Sequence, residues 1–80
     1  DPQSLAEQAA AALLSGDSAA RSLDLRLLGV KPGGSKMCMT VRADMLNGHR
    51  TCHGGLIFSL ADTAFAVACN SHNDNTVAAA

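Results

Sequence analysis

Aromatic residues are almost absent from this chain, which has two phenylalanines and neither tryptophan nor tyrosine. That removes the stacking platform on which unpaired bases would rest. Charge of either sign is also scarce: 6 Lys+Arg stand against 7 Asp+Glu, and the basic residues are scattered from Arg21 to Arg50 instead of forming a stripe. Without a polyanion footprint, nucleic acid is not an expected partner. The three cysteines, Cys38, Cys52 and Cys69, are odd in number and make no CxxC pair. Reduced thiols in a cytoplasm fit them better than a disulfide framework. No apolar run reaches the roughly 18 residues of a membrane span, and no basic segment leads an apolar one as in a secretory signal. The expectation is a soluble cytoplasmic protein with no membrane partner.

What is present is 80 residues with 48% hydrophobic content, enough for one domain with a modest core. Ser4-Leu5-Ala6-Glu7 has the form of a capping box, and an alanine-rich helix from about Leu5 to Leu14 follows, within an N-terminal segment 1–16 ended by Gly16. Asp17 or Ser18 is placed to cap a short second turn through Arg21. Leu23, Leu25 and Leu27 then alternate with Ser22, Asp24 and Arg26. That is the period of a strand. Beyond the turn cluster Pro32-Gly33-Gly34-Ser35, residues Met37, Met39 and Val41 alternate with Cys38, Thr40 and Arg42. The pair predicts an antiparallel hairpin within 23–43, roughly Leu25 to Lys31 with Lys36 to Ala43, and the methionines form a core face.

The stretch from Asn47 to Ala66 organises the rest. A polar loop, Asn47-Gly48-His49-Arg50-Thr51-Cys52-His53-Gly54-Gly55, runs into an almost wholly apolar helix over 54–69 that carries one carboxylate, Asp62. At Gly54 and Gly55 the helix start offers unpaired N–H groups with no Cβ in front of them, suited to an oxygen that is negative or becoming so. Asp62 is too deep in the helix to cap it, and an unpaired carboxylate among apolar neighbours is costly to bury. It is therefore either paired, for instance by the hydroxyl of Ser59 or Thr63, or it lines a cavity as a nucleophile or general base. Eight residues separate Gly54 from Asp62, about 12 Å along a helix axis at 1.5 Å per residue. One carbonyl cannot meet both on one helix, so joint action needs two copies, packed antiparallel about a two-fold axis.

Other chemistry in the loop is less well supported. His49, Cys52 and His53 suggest zinc, but adjacent Cys52 and His53 are awkward co-ligands and no second cluster follows, so no metal is expected. Nothing orients a Cys52 nucleophile toward a histidine. Asn47-Gly48 reads as a turn, but not as the turn of a hairpin, because only Arg50-Thr51-Cys52 separates it from the helix.

Asn47-Gly48-His49, then Cys52-His53-Gly54-Gly55, then Ser59-Leu60-Ala61-Asp62-Thr63-Ala64-Phe65, resemble the hotdog-fold acyl-CoA thioesterases, most closely those of phenylacetic acid degradation. The resemblance runs from about Ala20 to Ala80. It implies an α+β hotdog fold, an antiparallel sheet wrapped around the long helix, in homodimers that often pair into tetramers. It further implies that Asp62 is the nucleophile or general base and that Gly54 N–H polarises the thioester carbonyl. Asn47 would orient the attacking water or the acyl carbonyl from the same subunit as Gly54, with His53 supporting the loop and Gly55 and Thr63 beside the substrate. The implied reaction is hydrolysis of phenylacetyl-CoA or related aryl-acyl-CoA thioesters, with no cofactor because coenzyme A is part of the substrate. A hotdog hydratase or dehydratase with a catalytic His53, and a non-catalytic acyl-CoA-binding hotdog, are the competing readings.

One strand pair, with Thr76 to Ala80 as the start of a third, is too little sheet to surround a helix apolar on nearly every side. The 80 residues therefore read as one hotdog domain in its N-terminal part only, cut off before as much sheet again.

Overall fold

The computed structural model describes residues 1–72; the strand start expected at 76–80 lies outside the described residues. Helix α1 spans Pro2–Ser15. Asp1 starts it: a carboxylate oxygen accepts the Ser4 N–H at 2.9 Å, and Pro2 fills the first helical position, where no N–H is needed. The expected capping box is thus replaced by a cap three residues upstream. Ser4 sits inside the first turn, and Glu7 accepts a hydrogen bond from Gln3 at 3.1 Å. Ala6 and Ala10 are fully buried, their small side chains letting α1 lie close against the hairpin and the long helix. Gln3 Nε2 also donates to the Val30 carbonyl at 2.7 Å, tying α1 to the strand beneath it.

Asp17 caps α2, Ser18–Ser22, by accepting the Ala20 N–H at 2.9 Å. The chain then reverses at Asp24, whose φ of 53° lies in the left-handed region that aspartate tolerates better than most residues. Strand β1, Arg26–Lys31, pairs antiparallel with β2, Gly34–Cys38. The register Lys31↔Gly34 leaves only Pro32 and Gly33 in the turn, with proline fixing the first corner and Gly33 at φ 80° supplying the second, as a type II turn requires. Gly34 and Ser35 therefore belong to the strand and not to the turn. At the other end the ladder stops at Arg26↔Cys38, because the reversal at Asp24 carries the preceding chain away and leaves residues 39–42 without a partner strand among the described residues.

A bulge accounts for another departure from the simple alternation. Leu27 faces Met37 and Gly29 faces Lys36, so Leu28 is an extra residue. It points outward at 59% exposure, and the half-buried positions move from odd to even numbers, from Leu27 to Val30.

After a 3-10 turn at Ala43–Met45, with Met45 buried, the chain enters the loop and then α3, Gly54–Asn70. One side of α3 packs on β2 and α1, with Val67 fully buried. Two side chains stitch it to the hairpin. Ser35 Oγ donates to the Ala64 carbonyl at 2.6 Å, and Ser71 Oγ accepts the Gly33 N–H at 2.7 Å while donating to the Ala68 carbonyl. The opposite side of α3 is bare: Ile57 is 51% exposed, Phe58 71% and Phe65 59%. Among the described residues no helix is long and apolar enough to cross a membrane.

Candidate active site

The loop before α3 is a small hairpin. Leu46 and Cys52 form an antiparallel bridge, and around it Asn47 N donates to Thr51 O at 2.8 Å and His53 N to Met45 O at 2.8 Å. At the tip Arg50 N donates to Asn47 O at 3.0 Å, closing a four-residue turn, and Arg50 takes φ 62° to bring the chain back. Three residues before the helix are therefore enough for a returning strand of one bridge, which corrects the expectation that Asn47-Gly48 could not turn a hairpin. Buried Met45 roots this unit in the core.

Asn47 holds the loop with its side chain as well. Oδ1 accepts from His49 N at 2.8 Å and Thr51 N at 3.2 Å, and Nδ2 donates to Thr51 Oγ1 at 2.9 Å. An amide has two hydrogens to give and two lone pairs to fill. Asn47 thus keeps one N–H for anything outside the loop, and no free acceptor.

The loop delivers the start of α3 to a groove of about 230 Å³ lined by Asp44, Met45, Leu46, His53, Gly55 and Leu56. His53 is the N-cap residue, but its side chain makes no capping bond. Its backbone carbonyl accepts from Leu56 N and Ile57 N, and neither Gly54 N–H nor Gly55 N–H has an acceptor among the described residues. The His53 ring lies beside Gly55, with Nδ1 3.9 Å from where a Cβ would stand. At Gly54 a Cβ would meet nothing within 4 Å. Two donors without acceptors thus stand at the positive end of a 17-residue helix, and among the described residues the space beside Gly54 is open. A larger hollow of about 330 Å³ runs along the hairpin from Gly29 to Lys36, but it offers two lysines and no acid.

Asp62 is half-buried and makes no hydrogen bond or ion pair among the described residues. The hydroxyls that could have occupied it are turned to the helix backbone: Ser59 Oγ donates to the Gly55 carbonyl at 2.9 Å and Thr63 Oγ1 to the Ser59 carbonyl at 2.8 Å. The carboxylate is thus left available. Because α3 is unbroken from Gly54 to Asn70, Asp62 stands about 12 Å up the axis from Gly54 and about 80° around it. Thr63 is about 180° around from Gly54, on the other side of the helix. The fold of one chain therefore gathers Asn47, His53, Gly54 and Gly55 at one end of α3 and keeps Asp62 and Thr63 apart from them. Thr51, bound to Asn47, is the residue that sequence reasoning passed over; its signal was a hydroxyl four residues past an asparagine in a turn.

Residues 49–80 match the family described as the thioesterase superfamily. The chain is similar to the acyl-coenzyme A thioesterase PaaI of Escherichia coli strain K12, with 49% identity over 73 residues, 91% of this chain and 52% of that protein. It is similar in fold to the solved structure of the E. coli PaaI protein from the phenylacetic acid degradation operon, with a TM-score of 0.87 at 47% identity, covering 90% of this chain and 52% of that one. The chain thus spans about half the length of this relative, and over that span its antiparallel hairpin and long helix have the hotdog arrangement.

Proposed function

Residues 49–80 carry the thioesterase-superfamily pattern and the described chain has the fold of PaaI, and from this likeness we propose that the complete protein hydrolyses acyl-CoA thioesters. Phenylacetyl-CoA and related aryl-acyl-CoA thioesters are its substrates in this reading, and residues 1–80 form part of a single hotdog domain. The observation that carries the proposal is the start of α3, where among the described residues Gly54 N–H has no acceptor and nothing stands where a side chain at position 54 would be.

In the proposed mechanism the thioester carbonyl oxygen accepts the Gly54 N–H, with Gly55 N–H and the helix dipole adding to the same positive region. Asn47 has only a donor left, so it acts on the carbonyl and does not accept a hydrogen from the attacking water. His53 supports the groove wall beside Gly55. Asp62 reaches this carbonyl from a second copy of the chain, since its own Gly54 is about 12 Å away along the helix. There it takes a proton from water as the water oxygen bonds to the carbonyl carbon, or it attacks first and forms a mixed anhydride that water opens. In either case the C–S bond breaks and coenzyme A leaves as a thiolate, which takes its proton from Asp62 in the first route and from solvent in the second, and the acid follows. Coenzyme A enters as part of the substrate, and no further cofactor takes part. Thr63 has its hydroxyl hydrogen on the Ser59 carbonyl, so it has none to give the thioester carbonyl, and against a phenylacetyl group, which carries no N–H or O–H, its contribution is limited to packing contact. The working unit is a homodimer with two composite sites, paired into a dimer of dimers, in the cytoplasm, where the free cysteines stay reduced.

The test is thiol release from phenylacetyl-CoA, followed with a thiol reagent. Steady release separates hydrolysis from hydration of the acyl group and from binding without chemistry. Asp62→Asn is expected to lower turnover by roughly 10²- to 10⁴-fold, the usual contribution of a positioned base, with the dimer intact by size-exclusion chromatography. Near-normal turnover in that variant would sink the assignment.

A further inference from the structure

We infer that Thr51 is a positioning residue that aims the Asn47 amide at the bound acyl group, a role that rests on the thioesterase reading above. The Asn47 oxygen is fixed by two backbone donors, His49 N at 2.8 Å and Thr51 N at 3.2 Å. These donors settle which end of the amide is oxygen. Its lone pairs are then filled, so the Thr51 hydroxyl, 3.2 Å from Oδ1 and 2.9 Å from Nδ2, serves as the acceptor for one Nδ2 hydrogen. The NH₂ group is planar, and a bond on one hydrogen sets the direction of the other. Without Thr51 Oγ1 only the oxygen end is held, and the last torsion of an asparagine is broad. Thr51 itself need not touch the substrate; it acts through the one N–H that Asn47 has free.

The hydroxyl can be removed without disturbing the loop backbone. Thr51→Val keeps the β-branched shape and both main-chain bonds of residue 51, its carbonyl to Asn47 N and its N–H to Asn47 Oδ1, while deleting the hydroxyl acceptor. In the complete protein it is expected to lower kcat for phenylacetyl-CoA roughly tenfold, the worth of one misdirected hydrogen bond in the transition state, with KM little changed. Thr51→Ser restores the hydroxyl and is expected to restore turnover. In an Asn47→Ala background, Thr51→Val should cause no further loss, because the group it aims is already gone. Wild-type kcat in Thr51→Val, no recovery in Thr51→Ser, or independent losses in the double variant would each overturn the role. Failure of the unmutated protein to release thiol would overturn the thioesterase reading itself, so the two failures are told apart.

Discussion

A methyl group at position 54 would meet nothing within 4 Å among the described residues, so their packing does not require glycine there. Gly54→Ala should therefore leave the thermal midpoint unchanged or raise it slightly, since alanine is the better helix former by up to about 1 kcal/mol. If the thioester carbonyl approaches that amide, the same methyl group should obstruct it, and thiol release should fall well below wild type in a fully folded variant. Full activity in Gly54→Ala would move the carbonyl elsewhere. Gly54 and Asp62 are visible in the sequence because each is chemically out of place, a paired glycine at a helix entry and an acid in an apolar run. Thr51 is not, because a threonine four residues past an asparagine is ordinary in a polar loop. Its meaning appears only when the chain closes and its backbone N–H and its hydroxyl meet the side-chain amide of Asn47, while its carbonyl accepts the Asn47 backbone N–H.

The elements were readable where a local signal decides them. A cap at Asp17 or Ser18 and a turn within Pro32-Gly33-Gly34-Ser35 follow from single-residue stereochemistry, and the structure takes Asp17 for the first and Pro32-Gly33 for the second. The extent of β2 does not follow in this way, because it depends on where β1 begins and on the bulge at Leu28, neither of which the period-two pattern records. The small hairpin at Leu46 and Cys52 escaped for a similar reason: one bridge and a turn residue at positive φ are too short to leave a periodicity. The seam between hairpin and α3 is a second case of tertiary logic. Ser71, fully buried, accepts the Gly33 N–H and donates to the Ala68 carbonyl, holding the type II turn against the end of the helix. Ser71→Ala leaves that N–H without its acceptor, at a cost of about 1 to 3 kcal/mol. A thermal melt of the complete protein should show a midpoint lower by several degrees, with the kcat of the folded fraction unchanged because Ser71 is remote from the start of α3. An unchanged midpoint would mean that the turn is held by its own geometry alone.

At the scale of the molecule, the bare side of α3 and the separation of Gly54 from Asp62 are one problem. Gly54, Ile57, Phe58, Ala61 and Phe65 lie within about 100° of one another around the helix axis, all exposed, and include both of the chain's phenylalanines. Asp62 sits at the edge of that stripe. A second α3 laid antiparallel beside it would cover apolar surface and bring one Gly54 toward the other chain's Asp62, completing two equivalent sites by one symmetry operation. This arrangement has a quantitative consequence. In a Gly54 variant the intact Asp62 remains, and in Asp62→Asn the intact Gly54 remains, so a heterodimer of the two holds one whole site and one doubly damaged site. Equal mixing after subunit exchange makes half the dimers heterodimers, each with one of two sites whole, so thiol release should recover to about a quarter of wild type. Sites built within a single chain would give no recovery at all, since neither variant has a whole set. Recovery to the expected fraction, rising as exchange proceeds and absent when the variants are kept from exchanging, is the result that a site shared between two copies demands.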